Sequence, residues 1–300
     1  GSHCTEAGRE VAALYDHILD TGHAALHTAV QAMGEDLDGD DPTRTLVNVC
    51  GAEGGHVTWP AEQGEGLIVD GRPAPAQRRD ETTMIAWVAD APAHGCMPAG
   101  IVEHAPPPAP DVEALHADTT TLAGPFAELT FDDAGHITRL VDRTTDRQLL
   151  AGKANVFELF DDRPGRFEAW DIAADYRRHT IDAVRLLGRE VGTRGPVFAS
   201  QRLRWQIGTS TLEQEIRLYA HSPRIDLVTT VDWREDRRLL RVAFPLALHA
   251  AQTTYEIAFG VIQRPNHPTS PYDRAKFEVP FHRWFDVGEH SHGLAILNDG

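Results

Sequence analysis

The chain has 300 residues, of which 24% are charged and 41% hydrophobic, and this composition is typical of a folded globular protein. Acidic residues number 45 against 28 lysines and arginines, and the resulting net charge of −17 disfavours nucleic acid and anionic membranes as partners. No apolar run approaches the about 18 residues that a membrane-spanning helix needs. The length predicts more than one domain.

The N-terminus and the cysteines indicate the cellular compartment. Gly1-Ser2-His3 looks like the remnant of an expression tag, so we expect residues 1–4 to be disordered, and no signal peptide follows them. The three cysteines, Cys4, Cys50 and Cys96, are odd in number and widely spaced. This pattern disfavours a disulfide scaffold and predicts a cytoplasmic protein.

The first predicted element is a helix over residues 5–33. Its apolar residues recur at intervals of three and four, and they are Val11, Leu14, Tyr15, Ile18, Leu19 and Leu26. Gly34 marks its end. A single amphipathic helix has no apolar surface of its own to pack against, so it must contact the rest of this chain or a segment outside it. Residues 35–42 form an acidic loop whose spacing does not fit an EF-hand, and we interpret it as a solvated linker.

A small β unit is predicted over residues 43–104. Candidate strands lie at 46–49, 67–69 and 83–89, and Asp70-Gly71 marks a turn after the second. Residues 105–110 read Ala-Pro-Pro-Pro-Ala-Pro, which is typical of a stiff linker. We take this linker as the main domain boundary.

The region 111–300 is predicted to be almost wholly β. Segments 126–131 and 136–141 flank a turn with Gly135, which predicts a hairpin. Three further series alternate apolar and polar positions, with apolar members Val197, Ala199, Leu203, Trp205 and Ile207, then Ile225, Leu227, Val231 and Trp233, and then Tyr255, Ile257, Phe259 and Val261. Repeated strands without intervening helices favour a large antiparallel β-sandwich, and the lack of an internal repeat disfavours a propeller.

Sixteen histidines raise the question of a metal site. His290-Ser291-His292 and His116-Ala117-Asp118 each have a spacing that permits chelation, and His23 and His27 share a helix face. Two ligands do not make a site, and no HExxH motif surrounds the helical pair. We therefore interpret all three as surface groups and predict no metal site in this chain.

Two polar loops are the remaining candidates for chemistry. The first combines carboxylates with aromatic rings, as sugar sites do, and contains Asp161, Asp162, Phe167, Glu168, Trp170, Asp171, Asp175 and Tyr176. The second spans residues 264–278. A packed turn and a solvated connection with ion pairs are the alternative interpretations. No GxSxG, P-loop or GxGxxG motif supports acyl transfer, nucleotide hydrolysis or dinucleotide binding.

Read together, these loops resemble the C-terminal half of class II α-mannosidases, glycoside hydrolase family 38. The first part of the resemblance lies in residues 154–164, Phe167-Glu168-Ala169-Trp170-Asp171-Ile172, Val231-Asp232-Trp233, Phe244-Pro245 and Tyr255-Glu256-Ile257. The second part lies in Arg264-Pro265, His267, residues 273–279, His282, Trp284 and Leu297-Asn298-Asp299. Each match is weak alone, but their order over some 150 residues is specific.

The resemblance implies a fold and a division of labour. Residues 5–37 would be the last helix of a helical middle domain, 43–104 a small β domain, and 111–300 a truncated sandwich of the galactose mutarotase and mannosidase C-terminal type. The family's N-terminal α/β barrel, which carries most of the zinc site and the aspartate nucleophile, is not among these residues. The resemblance therefore implies no catalytic residue and no metal ligand here, and His116-Ala117-Asp118 is rejected as a carried-over ligand pair.

The sequence also departs from the family. Val47-Asn48-Val49 stands where relatives commonly have Asn-Pro, residues 266–270 replace a Thr-His-x-Asn-Thr run, and Tyr272 replaces a tryptophan. The chain ends at Gly300, where relatives continue through further strands. We therefore expect it to be a fragment.

The leading hypothesis is that this chain is the non-catalytic part of a zinc-dependent, retaining α-mannosidase, and is inactive alone. Candidates for one wall of the sugar pocket are Arg264, His267, Asp273, His282, Trp284, Asn298 and Asp299, with loop anchoring or domain packing as their alternative role. Trp170 and Asp171 are favoured as core or interface anchors. An autonomous carbohydrate-binding sandwich and a structural domain that forms a homo-oligomer are the alternative functions.

Overall fold

The structure is a computed structural model that describes residues 16–25, 28–29, 44–48, 52–104, 115–167 and 170–298. The chain divides into two compact units, one of residues 1–112 with 195–197 and one of residues 113–194 with 198–300. Strands dominate the described part of both units, which confirms the predicted mainly β class. None of the helices within those ranges is long and apolar enough to cross a membrane.

The predicted N-terminal helix is described in part. Residues 16–25 and 28–29 are helical, and Ile18 and Leu19 are exposed. The remainder of the predicted helix, the acidic loop at 35–42, and the proline-rich linker at 105–110 lie outside the described residues. The linker as a domain boundary therefore stays a prediction.

Within its described residues, the first unit contains two antiparallel sheets around an apolar core that includes Trp59, Leu67, Met84 and Val88. One sheet has the order β1-β7-β3-β4, with β1 Arg44–Asn48, β3 Gly66–Val69, β4 Arg72–Ala74 and β7 Gly95–Val102. The other has the order β2-β6-β5, with β2 Gly55–Pro60, β5 Ala76–Arg78 and β6 Thr83–Val88. A short 3₁₀ helix, Ala61–Gln63, follows β2.

The three predicted strands of this unit are confirmed as β1, β3 and β6. The turn at Asp70-Gly71 is confirmed as well, because Val69 pairs with Arg72 across it and both turn residues have a positive φ. Two positive φ angles are the signature of the tight hairpin turn whose twist matches that of the strands it joins.

The second unit contains four antiparallel sheets within the described residues. Two have the orders β12-β11-β10-β9-β8 and β14-β13-β19, with β8 His116–Ala117, β9 Thr121–Ala123, β10 Ala127–Phe131, β11 Ile137–Asp142, β12 Arg147–Gln148, β13 Val156–Asp161, β14 Thr180–Ile181 and β19 Arg238–Ala243. The others have the orders β15-β16-β17-β18 and β21-β20-β22-β23, with β15 Val184–Arg194, β16 Phe198–Ile207, β17 Ser210–Tyr219, β18 Ile225–Asp232, β20 Gln252–Ile257, β21 Gly260–Pro265, β22 Trp284–Gly288 and β23 Gly293–Leu297. A 3₁₀ helix, Tyr176–Arg178, and a short α-helix, Pro271–Ala275, lie in its loops.

The core of the second unit lies on the inner face of β16 and β17. The apolar series of β16 is buried as predicted, and Trp205 stands edge-on to Phe157 with ring centroids 5.0 Å apart. The predicted hairpin is β10–β11, and Gly135 in its turn has φ 80°. A Cβ on Gly135 would lie 2.9 Å from Leu203 Cδ2, so glycine is required there both by conformation and by the close approach of the core.

Two of the alternating series do not form a buried face. Leu227 and Val231 in β18, and Trp233 directly after it, remain exposed by more than a third, because β18 is the edge strand of its sheet. The series from Tyr255 to Val261 is not one strand, since Ile257 pairs with Gly260 across a two-residue turn that contains Phe259. The chain reverses at this turn, which leaves Phe259 fully exposed.

Tyr219 at the end of β17 predicts a specific alkaline transition. Burial, together with the hydrogen bond that its hydroxyl donates to Asp226 Oδ2 at 2.7 Å, raises the pKa of Tyr219 to about 12. An unfolded tyrosine titrates near pH 10, so the stability linked to this group is complete below about pH 10 and is lost as the pH rises through 12. Two pKa units correspond to about 3 kcal/mol.

We expect the wild-type chain to lose about 2 kcal/mol more unfolding free energy than Tyr219→Phe between pH 9 and pH 12, because the folded chain is only half titrated at this group at pH 12. Urea unfolding at a series of pH values measures both losses. Equal losses in the two proteins would show that Tyr219 is not the group responsible.

Candidate functional site

The first polar loop, between β13 and the 3₁₀ helix Tyr176–Arg178, is fixed at its base by backbone and carboxylate contacts. Asp162 Oδ1 accepts a hydrogen bond from the Ala173 backbone N–H at 2.8 Å, which closes the loop across 11 positions. Asp161 forms ion pairs with Arg163, at 2.8 Å, and with Arg238. The hydrogen bond from Arg163 and the charges of both arginines hold the pKa of Asp161 below its ordinary value. The carboxylates at the base of the loop are therefore committed to holding it in place.

The tip of this loop displays two aromatic rings. Phe167 is 71% exposed and has φ 59°, and Trp170 is 87% exposed. The backbone N–H groups of Trp170 and Asp171 both donate to the Phe167 carbonyl, at 2.7 and 3.0 Å, which turns the chain sharply between the two rings. Trp170 was predicted to be a core or interface anchor, and its exposure shows that it does not lie in the core of this chain. A role as an interface anchor stays a prediction. Glu168 lies outside the described residues.

The two polar loops meet at Tyr176, which is fully buried. Its hydroxyl donates to Glu278 Oε1 in the second loop and accepts hydrogen bonds from Arg177 Nε, at 3.0 Å, and from Arg241 Nη1. The guanidinium carbons of Arg177 and Arg241 lie 5.6 and 5.5 Å from the centroid of the tyrosine ring, and Phe160 stands edge-on to it at 5.0 Å. We call this group of five residues the Tyr176 junction.

The junction is strongly polar, and its two arginines face a single carboxylate, that of Glu278. Glu278 lies 3.3 Å from Arg177 and 3.5 Å from Arg241. Burial, followed by the hydrogen bond to Glu278, raises the pKa of Tyr176, so the phenol stays protonated at neutral pH. The sequence placed Tyr176 and Glu278 in the two candidate loops but gave no role to Arg177 or Arg241. The available signal for Arg241 was a charge between the apolar residues Leu239-Leu240 and Val242-Ala243 of β19.

Arg264 and Asp273 occupy well-defined positions in or beside the second loop. The Arg264 guanidinium lies 4.7 Å from the ring centroid of Tyr255 and donates to the Pro280 carbonyl at 3.0 Å. Asp273 caps the helix Pro271–Ala275, where its carboxylate accepts from the Ser270 hydroxyl at 2.7 Å and from the Ser270 backbone N–H at 3.0 Å. These bonds hold the pKa of Asp273 below its ordinary value, and they make the capping box a local role for this carboxylate.

The structure brings His282, Trp284 and Asn298 together on the β22–β23 hairpin. Trp284 pairs with Leu297, and Asn298 Nδ2 donates to the His282 carbonyl at 3.0 Å. His267 is exposed on the turn after β21, and Asp299 lies outside the described residues. Three of the seven predicted pocket residues are thus neighbours, and the others with described positions lie on β21 and the second loop.

The histidine pairs considered from the sequence make other contacts. His116 Nε2 lies 2.9 Å from Asp118 Oδ2, and Asp118 Oδ1 accepts from Thr120 and Thr121 in a tight turn. Both ring nitrogens of His292 lie within 2.9 Å of Arg147 Nη1. Across the part of the chain that the structure describes, no group of three or more histidine, cysteine, aspartate or glutamate residues is arranged to hold a metal ion.

A groove of about 550 Å³ lies along the β15–β18 sheet. Its charged side chains pair across strands, with Arg202 and Arg204 each 3.6 Å from Glu215 and Glu213 respectively. The residues that line it include no aromatic ring. The groove therefore lacks the stacking platform that sugar sites use.

Comparison with known proteins identifies the family. The profile of the glycosyl hydrolases family 38 C-terminal domain matches residues 122–300, and the chain belongs to this family. It is 40% identical to Alpha-mannosidase 2C1 of Homo sapiens over 188 residues, which cover 60% of this chain and 18% of that protein. It is 30% identical to Alpha-mannosidase G of Dictyostelium discoideum over 182 residues, covering 58% of this chain and 17% of that protein.

The fold agrees with this assignment. An alpha-mannosidase from Enterococcus faecalis superimposes with a TM-score of 0.61 at 14% sequence identity, covering 85% of this chain and 37% of that one. A glycosyl hydrolase family 38 protein from the same organism gives a TM-score of 0.55, covering 82% of this chain and 37% of that one. The chain spans less than a fifth of the length of the curated relatives it matches.

Proposed function

We propose that this chain is the non-catalytic, β-rich part of an α-mannosidase, which supports the catalytic barrel and contributes one wall of the sugar pocket. The observation that carries the proposal is the family match over residues 122–300, together with 40% identity to a mannosidase over 188 residues. The substrate of the intact protein would be a terminal α-linked mannoside. We place it in the cytoplasm, on the cysteine pattern.

The electrostatics of the carboxylates support a non-catalytic role. A retaining glycosidase needs one carboxyl group with a raised pKa, which stays protonated to act as a general acid. Among the described residues, each aspartate or glutamate with a displaced pKa is displaced downward, including Asp161, Asp175 and Asp273 in the two polar loops. Such groups hold loops and cap helices, and they are poor proton donors near neutral pH.

In the intact enzyme, the catalytic groups would lie in the barrel. The zinc ion would hold sugar hydroxyls there, and two carboxylates would act as nucleophile and acid/base. The contribution of this chain would be to bind and orient the sugar through Arg264, His267, Asp273, His282, Trp284, Asn298 and Asp299. The Tyr176 junction would keep the first polar loop at a fixed distance from the second.

Trp284 gives a specific test of the pocket wall. In the longer protein that contains this chain, Trp284→Ala is expected to raise KM for an aryl α-mannoside about tenfold and to leave kcat nearly unchanged, because a sugar-stacking ring contributes to binding. Leu297→Ala is the matched control, since Leu297 is the cross-strand partner of Trp284 and is more exposed. Equal kcat and KM values in the wild type, Trp284→Ala and Leu297→Ala would show that Trp284 is not part of the pocket wall.

An autonomous carbohydrate-binding module is the second candidate, and the exposure of Phe167 and Trp170 favours it. Exposed aromatic rings can stack on sugar faces without a catalytic partner. Titration of the 300-residue chain with mannose oligosaccharides, monitored by tryptophan fluorescence, distinguishes a binding module from a pocket wall. Saturable binding that Trp170→Ala abolishes would establish the module, whereas no binding by the isolated chain agrees with a pocket wall that needs the barrel.

A further inference from the structure

The short helix Pro271–Ala275 in the second polar loop presents an aromatic ring to solvent. Tyr272 is the second residue of this helix and is 70% exposed. The ammonium group of Lys276 lies over one face of the ring, 4.0 Å from its centroid. Because most of the residue remains exposed, the opposite face of the ring is open. An open aromatic face is a surface on which the C–H groups of a sugar can stack.

The contacts of the helix hold this ring in place. At the start of the helix, the Asp273 backbone N–H donates to Ser270 Oγ at 3.1 Å, and Asp273 Oδ2 accepts from the Ser270 backbone N–H at 3.0 Å. At its end, the Lys276 backbone N–H donates to the Asp273 carbonyl at 3.2 Å. This turn keeps Lys276 beside Tyr272, four positions earlier in the chain. A ring that is fixed before binding loses little side-chain entropy when a ligand stacks on it.

The loop that carries the helix is itself tied to the rest of the second unit. Glu278, two positions after Lys276, accepts the hydrogen bond of the Tyr176 hydroxyl in the Tyr176 junction. Arg264, which precedes the helix, donates to the Pro280 carbonyl at 3.0 Å and so joins the two ends of the loop. The exposed ring therefore stands on an anchored segment.

Asp273 supplies a hydrogen-bond acceptor next to the ring. The three hydrogen bonds that its carboxylate accepts, from Thr269 and Ser270, all end on Oδ2, and no described residue donates to Oδ1. The bonds from Ser270, with smaller contributions from Thr269 and from the charge of Lys276, hold the pKa of Asp273 below its ordinary value. The carboxylate is thus ionised at neutral pH, and Oδ1 can accept from a sugar hydroxyl. Asp273 also belongs to the proposed pocket wall, so Tyr272 directly adjoins that wall.

We propose that Tyr272 and Asp273 form a second sugar subsite, which binds the sugar to which the terminal mannose is linked. The open face of Tyr272 stacks on this second sugar, Asp273 Oδ1 accepts from one of its hydroxyls, and Lys276 holds the ring from the other side. The inference rests on the proposed function and deepens it, because it names the substrate class as oligosaccharides of two or more sugars in preference to simple mannosides.

The first test compares an α-linked mannobiose with methyl α-mannoside as substrates of the longer protein that contains this chain. The measured quantity is the ratio of kcat/KM for mannobiose to kcat/KM for methyl α-mannoside. We expect Tyr272→Ala to lower this ratio about tenfold, because only mannobiose fills the second subsite. Tyr272→Trp keeps an aromatic face and should restore the ratio. Phe259→Ala removes an exposed ring from the turn between β20 and β21, and as the matched control it should leave the ratio unchanged.

The second test measures binding without turnover. Mannobiose with sulfur in place of the glycosidic oxygen resists hydrolysis, and titration calorimetry of the longer protein gives its Kd. We expect Tyr272→Ala to raise this Kd about tenfold and Phe259→Ala to leave it unchanged. If the longer protein cleaves neither mannobiose nor methyl α-mannoside, the proposed function fails, and the Kd values alone then decide whether the subsite exists.

Three results would overturn the subsite. The first is a ratio and a Kd that Tyr272→Ala leaves unchanged, which would show that the ring does not contact the second sugar. The second is an equal loss of kcat/KM for both substrates, which would show that Tyr272 packs against another part of the longer protein. The third is no binding of the sulfur-linked mannobiose by the wild type. Far-UV circular dichroism and thermal unfolding check that the variants are folded.

Discussion

Tyr176→Ala is expected to lower the free energy of unfolding of this chain by about 4 kcal/mol. The ring is fully buried, stands edge-on to Phe160, and lies beneath the guanidinium groups of Arg177 and Arg241. Its removal leaves a cavity and takes the shared hydroxyl from Glu278. Urea unfolding of the 300-residue chain measures the loss.

Tyr176→Phe separates the hydroxyl from the ring. This variant keeps the packing and loses only the hydroxyl, so we expect a cost of about 1–2 kcal/mol. A Tyr176→Ala protein as stable as the wild type would contradict the role of the junction, and so would a phenylalanine variant as unstable as the alanine variant.

Trp205→Ala is expected to cost about 4 kcal/mol as well, because it opens a cavity at the centre of the second unit. Trp205 is 1% exposed and contacts Phe157 edge-on, and the turn at Gly135 lies directly against it. The surrounding strands are hydrogen-bonded on both sides, so they cannot collapse to fill the space.

Trp170→Ala is the matched control for this prediction. It removes the same side chain from an exposed loop, and we expect a change within about 0.5 kcal/mol. Thermal or urea unfolding of both variants gives the comparison. If Trp205→Ala and Trp170→Ala had the same free energy of unfolding, Trp205 would not be a core residue of the second unit.

The local part of the fold could be predicted from the sequence. Asp70-Gly71 and Gly135 supply the positive φ angles that their turns require, and the alternation in β16 identifies the buried face without knowledge of its partners. These predictions depend on a few neighbouring residues, so no tertiary information was needed.

The incorrect predictions concern segments whose burial or strand ends depend on more than their own alternation of apolar and polar residues. Alternation in β18 identifies which face is apolar, but it cannot say whether another element covers that face. The two central residues of the turn, Ala258 and Phe259, do not favour a turn, and the only signal is Gly260, which directly follows them, so the series from Tyr255 to Val261 was not divided there. Trp170 was predicted to be a core or interface anchor, and its exposure excludes the core alternative alone.

For the candidate site too, local features could be predicted from the sequence, but contacts between distant residues could not. The two polar loops could be selected from their composition and from the resemblance to family 38, and the family assignment is confirmed. The contact that joins them, from Tyr176 to Glu278, spans 102 positions, and no local pattern predicts it. The seven pocket residues stay a prediction until the kinetics of the longer protein are measured.

The central claim is that this chain provides structure and sugar contacts but no catalytic groups. Hydrolysis of an aryl α-mannoside, with added zinc, by the 300-residue chain and by the longer protein that contains it tests the claim directly. We predict turnover by the longer protein and none by the chain alone. Turnover by the isolated chain would contradict the claim. The carboxylates of the loop from Asp161 to Asp175 would then be the first candidates for catalytic groups, to be tested by substitution.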